Sequence, residues 1–216
     1  MPHAGCPHRC SFCDQSAITG RQTMPGPADV FAAAERALET MTSEEAKGAQ
    51  IAFFGGSFTA IDRSLSQPLL QAAGEYVKKG VFGGIRLSTR PDCVDESTLT
   101  WLKGYGVTAV ELGAQSMDDR VLQKNGRGHT AEDTRRASRL IKAAGMELGL
   151  QMMTGLDGDT DEGACQTARA LAALSPDTMR IYPTVVLKGT ALYERMQKGL
   201  FCPQGLEGAV MLRSEE

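Results

Sequence analysis

Five short, mostly apolar runs recur along this chain of 216 residues, each followed by a segment with helical spacing. They are Ile51 to Phe54, Ile85 to Ser88, Val107 to Leu112, Leu148 to Met153 and Met179 to Tyr182. Runs of this kind bounded by turn residues read as strands, and Ile51 to Phe54, ended by Gly55-Gly56, as one buried on both faces. Between them, sets such as Leu65, Leu69, Leu70, Ala73 and Val77, or Ala137, Leu140, Ile141 and Ala144, repeat every three or four residues and mark amphipathic helices. Earlier in the chain, Val30, Ala33, Ala34, Ala37, Leu38 and Met41 do the same after Pro25-Gly26-Pro27. Strands that alternate with helices form successive parallel βα units, so the fold class is α/β.

Local signals support the alternation. Thr130 with Asp133 predicts a capping box, and Asp159 to Glu162 supplies the acidic first turn of a helix running to about Leu174. Gly80 and Gly145 stop two helices. Asp118 to Gln123 and Leu192 to Met196 predict short helices, and beyond Pro203 the pattern fades. Met152 and Met153 read as core residues of the fourth run.

Ligands of parallel βα folds gather where the strands end. The residues leaving the five runs are Gly55-Gly56-Ser57, then Ser88 to Asp92, Gln115-Ser116, Gln151 to Gly155, and Tyr182-Pro183. A glycine pair lets backbone approach a ligand closely. Arg127, on a glycine-flanked loop, can make a bidentate contact to a carboxylate.

Ahead of these stands Cys6-Pro7-His8-Arg9-Cys10-Ser11-Phe12-Cys13, a C-x3-C-x2-C spacing. Thiolates suit iron–sulfur clusters and zinc. Three cysteines leave one iron of a four-iron cluster open, whereas structural zinc wants four protein ligands, for which His3 or His8 is available. Cys93, Cys165 and Cys202 are scattered and read as incidental or buried thiols in a reducing compartment.

The run GCPHRCSFC resembles the cluster loop of radical S-adenosylmethionine (SAM) enzymes. The resemblance implies that Cys6, Cys10 and Cys13 hold a 4Fe-4S cluster whose open iron is chelated by SAM, with Phe12 near the adenine. Gly55 and Gly56, with Ser57 in place of a glutamate, match the motif that holds the SAM amino group. The stretch ELGAQSMDDRVLQKNGRGH, Glu111 to His129, resembles oxygen-independent coproporphyrinogen oxidases and the radical SAM half of the elongator acetyltransferase. It implies that Gln115 contacts the SAM ribose and Arg127 its carboxylate, with His129 packing or capping. QMMTGLDGDT resembles a fifth-strand motif in which Gln151 takes a ribose-binding position, while Asp157 stands where the family has proline. Arg90 is assigned either to the methionyl end of SAM or to an ion pair with Asp92 or Glu111. Tyr182 and Lys188 are placed near the substrate or on the rim.

The resemblance implies a partial (β/α)6 barrel over residues 1–200, with 201–216 beginning a further extension. Only five residues precede Cys6, so a first strand is expected to be truncated. The implied chemistry is reductive cleavage of SAM to a 5'-deoxyadenosyl radical that abstracts hydrogen from an unidentified substrate. An external one-electron donor such as flavodoxin or ferredoxin is implied as a partner. Alternatives are a tRNA-modifying or coproporphyrinogen oxidase-like enzyme, and, outside catalysis, an iron–sulfur or zinc interaction module. A net charge of -3 offers no basic face for nucleic acid. No apolar run has the length of a membrane span, and the first residues do not read as a signal peptide, so the expected location is cytoplasmic.

Overall fold

The computed structural model describes residue 6 and residues 8–14 and 24–215. The expected truncated strand ahead of Cys6, and His3 as a ligand, lie outside the described residues. Helices α1 (Pro27–Leu38) and α2 (Ser43–Gly48) precede β1 (Gln50–Phe53). Then follow α3 (Arg63–Lys78), β2 (Gly84–Thr89), α4 (Glu96–Gly104), β3 (Val107–Gln115), α5 (Asp119–Lys124) and α6 (Ala131–Ala143). The chain continues through β4 (Glu147–Thr154), α7 (Asp161–Ala172), β5 (Thr178–Pro183), α8 (Ala191–Gln197) and α9 (Leu206–Glu215).

The five strands pair in parallel in chain order, β1 to β5. Side chains that start the helices explain why the boundaries fall where they do. Asp95 accepts from the Thr98 N–H at 2.7 Å, Thr160 from the Gly163 N–H at 3.0 Å, and Thr130 and Asp133 cap each other reciprocally. Helix α2 was not anticipated from periodicity, being too short for a stripe; a Thr42–Glu45 capping box forms it.

The core lies between the sheet and its helices. Leu87, Val110, Leu112, Leu148, Leu150 and Met152 from the central strands pack with Leu70, Leu102 and Ile141. Full burial of each such leucine contributes about 1.5–3 kcal/mol. Met152 is in this core, but Met153 is half-buried, because successive strand residues face opposite sides.

That opposite side is the inside of a curl. Neighbouring strands stand about 4.8 Å apart, so β1 and β5 of a flat sheet would be roughly 19 Å apart. Yet the Arg180 guanidinium of β5 lies 4.8 Å from the ring centroid of Phe54, the residue after β1. The sheet therefore bends into a half-barrel, in keeping with the partial barrel that the family resemblance implies.

Candidate cofactor site at the strand exits

The cysteine loop lies against the ends of β2 and β3. Ser11, between Cys10 and Cys13, fastens it. The Ser11 N–H donates to the Asn125 carbonyl at 2.9 Å, its hydroxyl donates to Asn125 Oδ1 at 3.0 Å, and its carbonyl accepts from the Leu192 N–H at 2.8 Å. Asn125 is fully buried and donates its amide to the carbonyls of Val121 and Asp157, each at 2.9 Å. The Asp157 carboxylate in turn pairs with Lys124 at 2.9 Å and Arg195 at 2.6 Å. Because Leu192 and Arg195 share α8, these contacts close a ring linking the cysteine loop, the loop after α5, the β4 exit and α8.

His8 bonds through Nε2 to the Gly126 carbonyl. Its ring fills the space that a side chain at Gly128 would occupy, since a Cβ there would lie 2.5 Å from the ring, and Gly128 has φ +73°. With Nε2 engaged in this way, only Nδ1 of His8 is left for a zinc site completed by that histidine.

At the β3 exit the pairing register shifts between Gly113 and Gln115, and Gln115 sits at φ +67°. A non-glycine residue in that region is strained, which is a common signature of functional sites. The Oε1 atom of Gln115 is buried without a partner among the described residues. Arg127, also buried, donates through Nη1 to the Cys10 sulfur at 3.2 Å and through Nη2 to the Gly113 carbonyl at 2.5 Å, leaving its Nε without an acceptor among the described residues. His129 is buried beside it, with Nε2 at 3.1 Å from the Ala114 carbonyl and Nδ1 unpartnered. Desolvation, reinforced by the Arg127 charge, lowers its pKa to about 4, so the ring is neutral. Nε2 is then the donor and Nδ1 an open acceptor.

The β1 and β2 exits form the adjacent wall. Gly55 and Gly56 both have positive φ, at 99° and 59°, a backbone conformation that favours glycine. Ser57 behaves differently from the glycines. It is completely buried, with its hydroxyl 2.8 Å from Thr89 Oγ1 and accepting from the Arg90 N–H at 3.2 Å. It therefore braces the glycine pair from behind. Arg90 makes a two-pronged pair with Asp92, at 3.0 and 2.5 Å, so its guanidinium is committed to that carboxylate. Cys93 lies in the same corner, within electrostatic range of Cys6, and burial pushes its thiol pKa up.

Gln151 joins neither wall. Its amide donates to Glu111 Oε2 at 2.7 Å, on the inner face of the half-barrel. Phe12 is half-buried on the cysteine loop.

Among the described residues no three His, Cys, Asp or Glu side chains stand together as a ready metal site, and that includes the cysteines in their present spacing. The donor set nonetheless fits a cluster in chemistry and surroundings. None of the three is held in a disulfide, Cys10 is buried, and a guanidinium N–H points at its sulfur, the kind of outer contact that stabilises charge on a ligating sulfur. SAM fits as well: the unpartnered Gln115 Oε1 and Arg127 Nε offer an acceptor and a donor within one corner.

Several of these residues carried no signal in the sequence. Asn125 reads as a turn residue before glycine, and Asp157 as a mere departure from a motif. Only their burial identifies them as anchors.

A family model described as the Radical SAM superfamily matches residues 1–171. A curated tRNA uridine(34) acetyltransferase of Methanocaldococcus infernus is 35% identical over 127 residues, covering 57% of this chain and 24% of its own length. A Dehalococcoides mccartyi protein of the same name is 24% identical over 92% of this chain and 50% of its own. Among solved structures, the archaeal Elp3 of Methanocaldococcus infernus with an N-terminal deletion superposes with a TM-score of 0.75 at 24% identity, over 93% of this chain and 51% of that one. The chain thus spans between a quarter and a half of the length of these relatives. Among the described residues no helix is long and apolar enough to cross a membrane.

Proposed function

Because this chain belongs to the radical SAM superfamily, whose enzymes use a 4Fe-4S cluster and SAM, we propose that Cys6, Cys10 and Cys13 hold the cluster and that the strand exits around them seat SAM. The carrying observation is the pair of unpartnered buried atoms, Gln115 Oε1 and Arg127 Nε, next to Cys10. Bound together, the two cofactors supply one-electron cleavage of a carbon–sulfur bond and, through it, hydrogen abstraction from a substrate.

The chain's own residues bind and orient. Gly55 and Gly56 let backbone groups meet the amino end of SAM. Gln115 accepts from a ribose hydroxyl, and Arg127 donates to the carboxylate while steadying the Cys10 sulfur. Phe12, half-buried on the cysteine loop, would contact the adenine. Ser57 and Arg90 hold the wall behind these contacts, and Gln151 orients Glu111 instead of reaching the ribose. An external reductant, of the flavodoxin or ferredoxin type, delivers the electron.

The similarity to tRNA uridine(34) acetyltransferases favours a second, finer reading: that the substrate is a tRNA base. The absence of a basic surplus in this chain means that further RNA contacts would have to come from elsewhere.

The test is anaerobic. After reconstitution with iron and sulfide, SAM and dithionite are added and 5'-deoxyadenosine is measured by chromatography. Wild type should form it and Cys10→Ala should not; tightly bound zinc without a cluster would overturn the reading. Addition of tRNA should accelerate product formation if the finer reading holds, and leave it unchanged if it does not.

A further inference from the structure

We propose that Arg180 forms an oxyanion subsite on the inner face of the half-barrel, taking a carboxylate or phosphate group of the substrate. Its place follows from register. Gly113, Gln151 and Arg180 lie in one row across β3, β4 and β5, and the same Gly113 carbonyl accepts from Arg127. Arg180 is therefore level with the cofactor corner and about 10 Å across the sheet from it, at two strand spacings. Phe54, under the guanidinium, directly precedes Gly55-Gly56.

The unequal engagement of two arginines supplies the reason for a ligand. Glu111 is 1% exposed, and its Oε1 is shared by Arg86 at 3.2 Å and Arg180 at 3.1 Å. Gln151, which is neutral, takes the other oxygen. Arg86 has a second carboxylate as well, Glu147, and its Nε donates to Gln50 at 2.8 Å. Of the two guanidinium groups on Glu111, Arg86 is therefore fully engaged, whereas Arg180 has only a share of one carboxylate and N–H groups left for an anion.

Arg180 is the member that can receive it. Its side chain is 41% exposed, against 14% for Arg86. Among the described residues, the only partners of its guanidinium are the Glu111 charge and the Phe54 ring, which fix its plane and leave N–H groups for a bidentate contact. Tyr182, two residues on and on the same face, is 43% exposed and adds a hydroxyl.

That the anion belongs to the substrate rests on the proposed radical SAM function; the subsite itself does not. The test uses the full chain without iron, so the two fail separately. The Arg180 Nε–H resonance, identified by its loss in Arg180→Gln, is followed by NMR during titration with inorganic phosphate or acetate, with sodium chloride at matched ionic strength as control. Saturable shifts with phosphate or acetate, but not chloride, are expected, and the tighter of the two identifies the substrate group. In Arg180→Lys, followed through the Gln151 and Tyr182 amides, affinity should fall about tenfold as the planar fork is lost. Equal shifts with chloride, or unchanged affinity in Arg180→Lys, would overturn the subsite.

Discussion

Arg127 bridges the cysteine loop and the sheet: one guanidinium nitrogen is 3.2 Å from the Cys10 sulfur and another 2.5 Å from the carbonyl of Gly113 at the end of β3. A lysine could keep the charge but not both directions at once. In Arg127→Lys, SAM affinity measured by anaerobic calorimetry should fall at least about tenfold. Arg127→Ala should also lose about 1–3 kcal/mol in urea unfolding, because the Gly113 carbonyl is left buried without that donor. Wild-type stability in the alanine variant would refute the bridge.

Gln115 opposes stability to function. Its left-handed backbone costs of order 1 kcal/mol or more, which glycine would not incur. Gln115→Gly is therefore expected to unfold at equal or higher urea concentration than wild type while binding SAM more weakly. A clear loss of stability would mean that the side chain is a packing element and not a ligand-facing acceptor.

The order of strands and helices was legible because apolar periodicity survives averaging over several residues, and the cysteine spacing was legible because thiols so rarely cluster without cause. Charged side chains on the inner face were not. Arg86, Glu111 and Arg180 are charged residues of three strands, and only the strand register and the inner face they share bring them together. Ser57, Arg90 and Gln151 lie at the expected exits, yet their side chains are engaged with Thr89, Asp92 and Glu111, a distinction of direction that position along a strand does not encode. Helix α9 escaped notice because Leu206 and Val210 are 82% and 56% exposed and form no core-facing stripe.

Asn125 should control how firmly the cysteine loop is held. Asn125→Ala removes the acceptor for Ser11 and the donor to Asp157, and about 1–3 kcal/mol of stability should go with them. The milder Ser11→Ala deletes a single side-chain bond. In both, amide hydrogen exchange over residues 8–14 of the iron-free chain should accelerate, and a reconstituted cluster should lose iron to a chelator faster than in wild type. Unchanged exchange in both variants would show that the loop is held by other contacts.

The neutral state of His129 predicts an acid limit on stability. Its pKa in the folded chain is about 4, against 6.5 when unperturbed, chiefly because burial penalises the imidazolium. Between those values the unfolded chain binds a proton that the folded chain refuses, so stability is full above pH 6.5 and declines as pH falls towards 4. A shift of this size corresponds to about 3 kcal/mol across the window. His129→Gln keeps a donor for the Ala114 carbonyl but does not titrate, so its urea midpoint should vary less between pH 7 and pH 4 than that of wild type. Parallel curves for the two proteins would place the acid sensitivity in other groups, and would mean that the His129 ring is solvated well enough to take up a proton where it stands.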